Sequence, residues 1–171
     1  FKKLPGKWIA LGYMPLEIGI SRVLKMDLHE FDYPEMKNMD IYDNLYKGLN
    51  LAIKNAVKML KRNRKDYDYF YIHFKETDLP GHDNKPLQKV KFIEMIDKQF
   101  FGYLRNLSDF KMVVTADHTT SSRLKSHTSH PVPALFFNHS AADSEKRFTE
   151  KDAAKESSIN GRQLLSKTLL R

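Results

Sequence analysis

The chain has 171 residues, with 29 Lys and Arg against 21 Asp and Glu, which gives a formal net charge of +8. Its length suits one domain or a part of one, and 41% hydrophobic content with 12% aromatic residues excludes a disordered chain. Seven Gly, seven Pro and no Cys exclude collagen-like, low-complexity and disulfide-stabilised proteins, and also thiolate metal sites and cysteine nucleophiles. The lack of Cys favours a reducing compartment, so we expect a cytoplasmic protein.

The positive charge has two interpretations. One is ordinary solubility, and the other is an anionic partner such as a phosphorylated small molecule or a nucleic acid. Basic residues are dense only at residues 61–65, and neither an aromatic RNA-binding pattern nor zinc-finger spacing is present. No stretch approaches the roughly 20 apolar residues that a membrane span requires. We therefore expect neither a nucleic acid nor a membrane as partner.

The first part of the chain predicts short strands and two helices. Residues 8–11 indicate a buried strand, and the apolar spacing in residues 16–25 indicates a helix. A second short strand is expected within residues 23–31, followed by a loop over residues 31–43. The clearest helix follows, capped by Asp43 or Asn44, with one apolar stripe: Leu45, Leu49, Ala52, Ile53, Ala56, Val57 and Leu60.

The second part continues the alternation of strands and helices. Residues 67–74 predict a buried aromatic strand, residues 77–85 a loop, and Pro86 the first position of a helix over residues 87–104. That helix has the apolar stripe Val90, Ile93, Ile96, Phe100 and Leu104. Further strands are expected at residues 111–116 and 134–137, and short helices at residues 150–155 and 163–170. Such alternation predicts an α/β fold with a mostly parallel sheet flanked by helices.

Three groups of Asp and His residues follow the predicted strands. Asp78 and His82 come after the strand that ends at residue 74, and Asp117 and His118 come directly after the strand over residues 111–115. His127 follows nine residues later, before a rigid Pro-Val-Pro turn. Since ligands of open α/β sheets bind at the carboxyl ends of the strands, we expect these side chains to converge.

Imidazole and carboxylate ligands together suit Zn, Mn, Co or Fe at a catalytic site. Five such ligands exceed what one tetrahedral site takes. Two ions about 3.5–4 Å apart would fit them, and such a pair stabilises both oxygens of an in-line phosphoryl displacement. Taken singly, each motif has an ordinary explanation, because Asp commonly serves in turns and caps.

Three segments in this order and spacing carry a resemblance to a known family. Residues 77–82 (TDLPGH), 115–118 (TADH) and 127–133 (HTSHPVP) together resemble the cofactor-independent phosphoglycerate mutases of the alkaline phosphatase superfamily. Residues 73–78 (HFKETD) and 147–151 (RFTEK) are most similar to the archaeal-type branch. The resemblance extends from about residue 8 to the C-terminus and is strongest over residues 69–137.

The resemblance implies a role for each metal ligand. Asp78, His82 and His127 match the three ligands of one ion, and Asp117 and His118 match ligands of a second ion. The expected cofactors are thus two divalent ions, Mn, Zn or Co. The expected activity is the interconversion of 2-phosphoglycerate and 3-phosphoglycerate through a phosphoserine, as in glycolysis and gluconeogenesis. Phosphoglycerate is the expected substrate.

The same resemblance implies a domain organisation. Residues 1–171 match the C-terminal portion of the metal-binding, alkaline phosphatase-like domain, so the fold is expected to be incomplete because its N-terminal part is absent. Residues 1–40 are expected to be the end of an inserted lid domain or the return from it. No residue matches the nucleophilic serine, so we expect no catalytic nucleophile in this chain and little or no activity from the chain alone.

Other positions are less specific. Lys75 lies beside Asp78 and is a candidate substrate-binding residue for a phosphate or carboxylate, with a solvated lysine as the alternative. His73 is expected to be a histidine satisfied by a neighbour. His130 stands where the family usually has Asn or Asp, and we expect it at the surface. Residues 31–40 lack the Gly-Thr-Gly-like loop expected of archaeal relatives.

Two alternatives remain open at this point. The first is another phosphotransferase or phosphatase of the same superfamily, such as a phosphopentomutase-like enzyme, because the ligand set is shared among them. The second is a non-enzymatic module that binds anions or nucleic acid through its basic surface. Steep weakening of binding with salt would distinguish the second alternative.

Overall fold

The computed structural model describes residues 4–35, 40–138 and 147–168. The chain divides into two compact units, the first formed by residues 1–80 and 85–104, the second by residues 81–84 and 105–171. The short helix α3 (Leu79–His82) lies at the point where the chain passes from one unit to the other, within a segment expected to be a loop. Residues 36–39 of the predicted loop over residues 31–43 lie outside the described residues.

The first unit contains a parallel three-stranded sheet. Its strands are β1 (Trp8–Gly12), β2 (Asp27–Glu30) and β3 (Tyr69–Tyr71), in the order β2-β1-β3. β1 is central and buried over its whole length, with Ala10 paired to Leu28 on one side and to Tyr71 on the other. A strand buried on both faces is uniformly apolar, as this one is. The predicted α/β fold with a parallel sheet is confirmed.

The helix α1 (Pro15–Val23) connects β1 to β2 with an unusual orientation. Its apolar side chains Leu16, Ile20 and Val23 are 59%, 40% and 56% exposed, whereas Glu17 and Ser21 are buried. The apolar periodicity therefore predicted the helix correctly, while the face that turns inward is polar. The buried carboxyl of Glu17 lies beside the ring of His73, which accounts for this orientation.

The long helix α2 (Ile41–Asn63) supplies most of the core against the sheet. Leu49, Ala52, Ile53 and Ala56 are buried as expected, and Met59 joins them. The predicted cap is wrong, because the Asp40 side chain accepts a hydrogen bond from the Tyr42 N–H at 2.7 Å. The helix thus begins two residues before Asp43, since Asp40 satisfies a backbone donor that would otherwise be unpaired.

The helix α4 (Pro86–Ile96) begins at Pro86 as predicted, and its packing face differs from the expected stripe. Val90 and Ile93 are 50% and 51% exposed, whereas Phe92 and Met95 are buried. A π-helical turn (Asp97–Phe101) follows and leads into α5 (Gly102–Leu104). Because a π turn adds a residue, the buried series steps by five, from Met95 to Phe100.

The aromatic strand of the first unit is shorter than expected. Residues 67–74 predicted a buried strand, yet β3 covers only Tyr69–Tyr71 and its side chains are half-buried. The strand stops because the following backbone is bonded elsewhere. The carbonyl of His73 accepts a hydrogen bond from the Tyr13 hydroxyl, and the N–H of Lys75 donates a hydrogen bond to that hydroxyl oxygen.

The second unit is built on two antiparallel pairs. β4 (Lys111–Val114) pairs with β7 (Leu135–Asn138), and β5 (Thr119–Ser121) pairs with β6 (Ser126–Thr128). The helices α6 (Glu150–Ala153) and α7 (Leu164–Thr168) complete the described part, and α6 begins at residue 150 as predicted. The strands β5 and β6 were not expected, because three-residue strands of Ser, Thr and His carry no apolar alternation. The predicted helix over residues 163–170 extends beyond the described residues.

None of the helices in the described part of the chain combines the length and the apolar character needed to cross a bilayer.

Candidate metal centre

Three imidazoles come together in the second unit. His82 ends α3, His118 directly precedes β5, and His127 is the middle residue of β6. The Nε2 atoms of His82 and His127 are 3.0 Å apart. The ring centroids of His118 and His127 are 3.7 Å apart, and those of His82 and His127 are 4.8 Å apart. The three rings thus form one cluster, although their positions in the chain span 45 residues.

The β5–β6 hairpin presents two of the three rings. Its register pairs Thr120 with His127, so the ring of His127 lies across from the strand that begins just after His118. The turn is closed by the N–H of Lys125, which donates to the Ser121 carbonyl at 2.7 Å with Lys125 in a left-handed conformation at φ 55°. Strand pairing in the hairpin therefore brings His118 and His127 together, although they are nine positions apart in the chain.

The third ring arrives because Gly81 lets the end of α3 approach β5. A Cβ at Gly81 would lie 2.6 Å from the carbonyl oxygen of Thr120, which is far inside the contact distance. Thr120 is buried, so this approach is tight. Only glycine permits it, and the residue after Gly81 is His82. The sequence predicted only a loop over residues 77–85, and the role of Gly81 depends on Thr120, which lies 39 positions away in the chain.

Hydrogen bonds orient the imidazole of His82. Its Nδ1 lies 3.2 Å from the carbonyl oxygen of Lys125. A carbonyl can only accept, so Nδ1 carries the proton and Nε2 presents a lone pair. Histidine ligands of metal ions are oriented in the same way, by a carbonyl or carboxylate on the second nitrogen. Nδ1 of His118 has a comparable neighbour, the hydroxyl of Thr120 at 3.2 Å.

Asp117 is exposed and contacts its own neighbour. Its Oδ1 accepts from the His118 N–H at 3.0 Å, and its Oδ2 lies 3.4 Å from Nε2 of His118. The carboxylate of Asp117 and the imidazole of His118 are thus two adjacent groups that could each ligate a metal ion. His130 is exposed, as expected, and its Nδ1 lies 2.9 Å from the hydroxyl of Thr128.

Asp78 and Lys75 belong to the first unit. Asp78 is half-buried, its N–H donates to the Lys75 carbonyl at 3.0 Å, and it directly precedes α3, four residues before His82 on the same continuous segment. The side chain of Lys75 is exposed. The strand that was expected to end directly before this pair ends at Tyr71, so Asp78 is placed by the intervening segment rather than by a strand end.

The route by which the cluster forms differs from the expected one. Convergence was expected at the carboxyl ends of parallel strands, whereas β4, which precedes Asp117 and His118, pairs antiparallel with β7. The three imidazoles are brought together instead by strand pairing in the hairpin and by the close approach of Gly81 to Thr120. The ligand types fit a divalent transition ion, because imidazoles with a neighbouring carboxylate are ligands that Zn, Mn and Co take.

A buried polar network next to Asp78 was not anticipated. Tyr13 follows β1, and its hydroxyl lies 3.0 Å from the His73 carbonyl oxygen, 3.3 Å from the Lys75 N and 3.2 Å from Oε2 of Glu76. Nδ1 of His73 lies 2.5 Å from Oε1 of Glu17, which confirms the expectation of a satisfied histidine. The sequence signal that was available is the spacing of Glu17 and Ser21 on one face of α1.

Burial dominates the electrostatics of this network. Glu76 is 2% exposed, and burial raises the pKa of its carboxyl above the ordinary value. Burial, with the Glu76 carboxylate nearby, also raises the pKa of the phenols of Tyr13 and Tyr33 far above their ordinary range. Burying a carboxyl group in this way costs free energy unless hydrogen bonds compensate for the lost contact with water.

A parallel α/β unit together with an oriented imidazole cluster is the arrangement expected of a metal-binding α/β protein. A family model described as the Metalloenzyme superfamily matches residues 22–161, which is most of the chain. The chain therefore belongs to the Metalloenzyme superfamily.

Individual relatives are consistent with this assignment. A protein of Deinococcus radiodurans, named probable 2,3-bisphosphoglycerate-independent phosphoglycerate mutase, is 41% identical over 105 residues, which cover 61% of this chain and 25% of that protein. A solved structure of a Pyrococcus horikoshii protein aligns with a TM-score of 0.69 at 31% identity, over 88% of this chain and 43% of that one.

The fold also matches a more distant enzyme. The cofactor-independent phosphoglycerate mutase of Thermoplasma acidophilum aligns with a TM-score of 0.64 at 21% identity, over 96% of this chain and 36% of that one. At this identity the match concerns the fold alone. The chain spans about a quarter of the length of the curated relatives it matches.

Proposed function

We propose that this chain provides metal-ligating residues of a phosphoglycerate mutase that needs no bisphosphoglycerate cofactor and interconverts 2-phosphoglycerate and 3-phosphoglycerate. The observation that carries the proposal is the 3.0 Å separation of the His82 and His127 Nε2 atoms, with the ring of His118 tilted against that of His127 at a centroid distance of 3.7 Å. Support comes from relatives that bear this enzyme's name, at 41% and 42% identity. A cytoplasmic location remains a prediction.

The proposed ligand sets follow the order of the motifs. Asp78, His82 and His127 hold one divalent ion, and Asp117 with His118 contributes to a second. The lone pair that the Lys125 carbonyl imposes on His82 Nε2 suits the first role. The spacing of four residues between Asp78 and His82, across the short helix α3, keeps a carboxylate and an imidazole on one segment. Mn, Zn and Co are the proposed ions.

The chemistry required of these residues is electrostatic. Bound divalent ions would neutralise charge on the transferring phosphoryl group. The chain's own contribution would be to offer imidazole nitrogens and carboxylate oxygens as ligands of the ions. Lys75 is exposed near Asp78 in the chain and is proposed to meet the anionic substrate. The serine nucleophile has no match in these 171 residues, so we expect no mutase turnover from them alone.

Titration calorimetry with Mn²⁺ and with Zn²⁺ tests the ligand assignment. His82→Ala should weaken binding by at least about tenfold, because a ligand and its lone pair are lost. The matched control is His130→Ala, which removes an exposed imidazole from the same unit and should leave the affinity unchanged. Equal affinities for the wild-type chain and His82→Ala would refute the proposed centre.

A further inference from the structure

The segment that leads into Asp78 is held by a buried hydroxyl. Tyr13, 8% exposed, contacts three groups of this segment: the His73 carbonyl, the Lys75 N–H and the Glu76 carboxylate. We call these three contacts the Tyr13 clamp. A phenol has one proton, so it accepts from Lys75 N–H and donates to one of the other two oxygens. One side chain thereby contacts two backbone groups and one carboxyl group of the segment.

A second buried acid secures the same segment. Glu17 is 2% exposed and lies 2.5 Å from the His73 ring, so the segment is tied both to the end of β1 and to α1. Two buried carboxylates around one short segment lower the stability of the fold, since burying a charged or polar group costs free energy unless its partners compensate. Hydrophobic side chains in the same space would avoid this free-energy cost, so stability alone does not account for this arrangement.

The position of the clamp in the chain suggests its purpose. Glu76 is two residues before Asp78, and the Asp78 N–H is bonded to the carbonyl of Lys75, whose own N–H is held by Tyr13. Any shift of the clamped backbone therefore moves the Asp78 main chain directly. A carboxylate that ligates a metal needs its orientation fixed by such supporting contacts, and their loss typically lowers metal affinity by about 10- to 100-fold.

We propose that Tyr13 is a positioning residue for the metal site: through the clamp on residues 73–76 it fixes the orientation in which Asp78 ligates a divalent ion. This inference rests on the proposed function, because it assumes that Asp78 is a ligand. The proposed role of Tyr13 requires no contact with the ion or the substrate. Its effect is transmitted by the backbone between Lys75 and Asp78.

The test compares two matched hydroxyl deletions by Mn²⁺ titration calorimetry of the 171-residue chain. Tyr13→Phe removes the clamp, and we expect an affinity about tenfold lower. Tyr67→Phe is the control, because the Tyr67 hydroxyl also lies close to a carboxylate oxygen, 2.8 Å from Oδ2 of Asp27, but is exposed and contacts no part of residues 73–76 in the bonds described. Its affinity should equal that of the wild type.

A merely structural role for Tyr13 would give a different result. Tyr13→Phe would then lower the melting temperature yet bind Mn²⁺ as tightly as the wild type when titrated well below that temperature, and this outcome would overturn the inference. Glu76→Gln supplies a second variant that preserves side-chain size while weakening the contact to the Tyr13 hydroxyl. It should lower the affinity in the same direction.

A double-mutant cycle separates this inference from the proposed function. If Tyr13 acts through Asp78, adding Tyr13→Phe to Asp78→Asn causes no further loss of affinity, and additive losses would contradict the inference alone. The ligand assignment fails instead if Asp78→Asn and His82→Ala bind like the wild type. In that case the inference fails with it, since no ligand would remain to be positioned.

Discussion

The two units of the chain are stabilised by different means. Every fully buried apolar side chain in the described part of the chain belongs to the first unit, from Trp8 in β1 to Leu104 in α5. In the second unit the described apolar residues are half-buried or exposed, and Thr120 is the buried side chain at its centre. The first unit therefore has a hydrophobic core, whereas the second unit is built on the paired strands β4–β7 and β5–β6 with little buried apolar surface.

The comparison indicates how a metal centre relates to its scaffold. The first unit has the apolar interior expected of a stable domain, and this interior offsets the free-energy cost of two buried acids and a polar face on α1. The second unit carries the imidazoles on an exposed hairpin, with His127 itself exposed. Metal binding contributes directly to folding when ligands lie on a weakly packed element. We infer that a bound ion matters more to the stability of the second unit than to that of the first.

The largest effect is expected from a truncation in the core of the first unit. Leu49 is fully buried on α2, and Leu49→Ala should lower the free energy of unfolding by about 2–5 kcal/mol, through lost transfer energy and a cavity. Phe136 on β7 is 48% exposed, and Phe136→Ala should cost less than about 1 kcal/mol. Urea denaturation of both variants measures the difference, and equal losses would remove the contrast between the units.

A second effect should appear when the ion is added. At a free Mn²⁺ concentration about 100-fold above the dissociation constant, opening of the second unit should become about 2.7 kcal/mol less favourable. Hydrogen exchange should then slow at amides of β4 and β7 more than at those of β1. The same free Mn²⁺ concentration applied to His82→Ala should slow exchange less, because the variant binds the ion more weakly. Equal protection of both sheets would contradict the inferred dependence of the second unit on metal.

The smallest effect concerns the approach of α3 to β5. Gly81→Ala places a Cβ 2.6 Å from the Thr120 carbonyl oxygen, so the segment that carries His82 must move away. We expect about a tenfold loss of Mn²⁺ affinity, equivalent to about 1.4 kcal/mol. Gly161→Ala is the control in the same unit, because a Cβ there meets nothing within 4 Å. Unchanged affinity for Gly81→Ala would show that the close approach is not needed.

Local patterns predicted most elements of the chain. The apolar run of β1, the stripe of α2 and the proline at the start of α4 each depend on neighbours within a few positions. Predictions were less accurate where a distant partner competes for the backbone. The aromatic strand stops at Tyr71 because Tyr13, some 60 residues away in the chain, takes the bonds of the following segment. The stripe of α4 shifts because a π turn inserts one residue.

The residue types of the candidate site were likewise accessible, whereas its assembly was not. Asp and His in three separate motifs predicted a metal centre, and the three predicted imidazoles, of His82, His118 and His127, lie together in the second unit. The hairpin that joins two of them has no apolar alternation to reveal it. The assignment of Asp78, Asp117 and Lys75 to ions and substrate stays a prediction.

The amino-acid sequence by itself determined most of the helices and strands, and which side chains offer ligands, because these properties arise from side-chain chemistry and from spacing along a few turns. Only the tertiary structure decided which face of α1 is buried, where β3 ends, and that Gly81 brings His82 to the hairpin. These outcomes depend on contacts between positions up to about 60 residues apart. Their free energies are set by packing and hydrogen bonding in three dimensions, which no local pattern encodes.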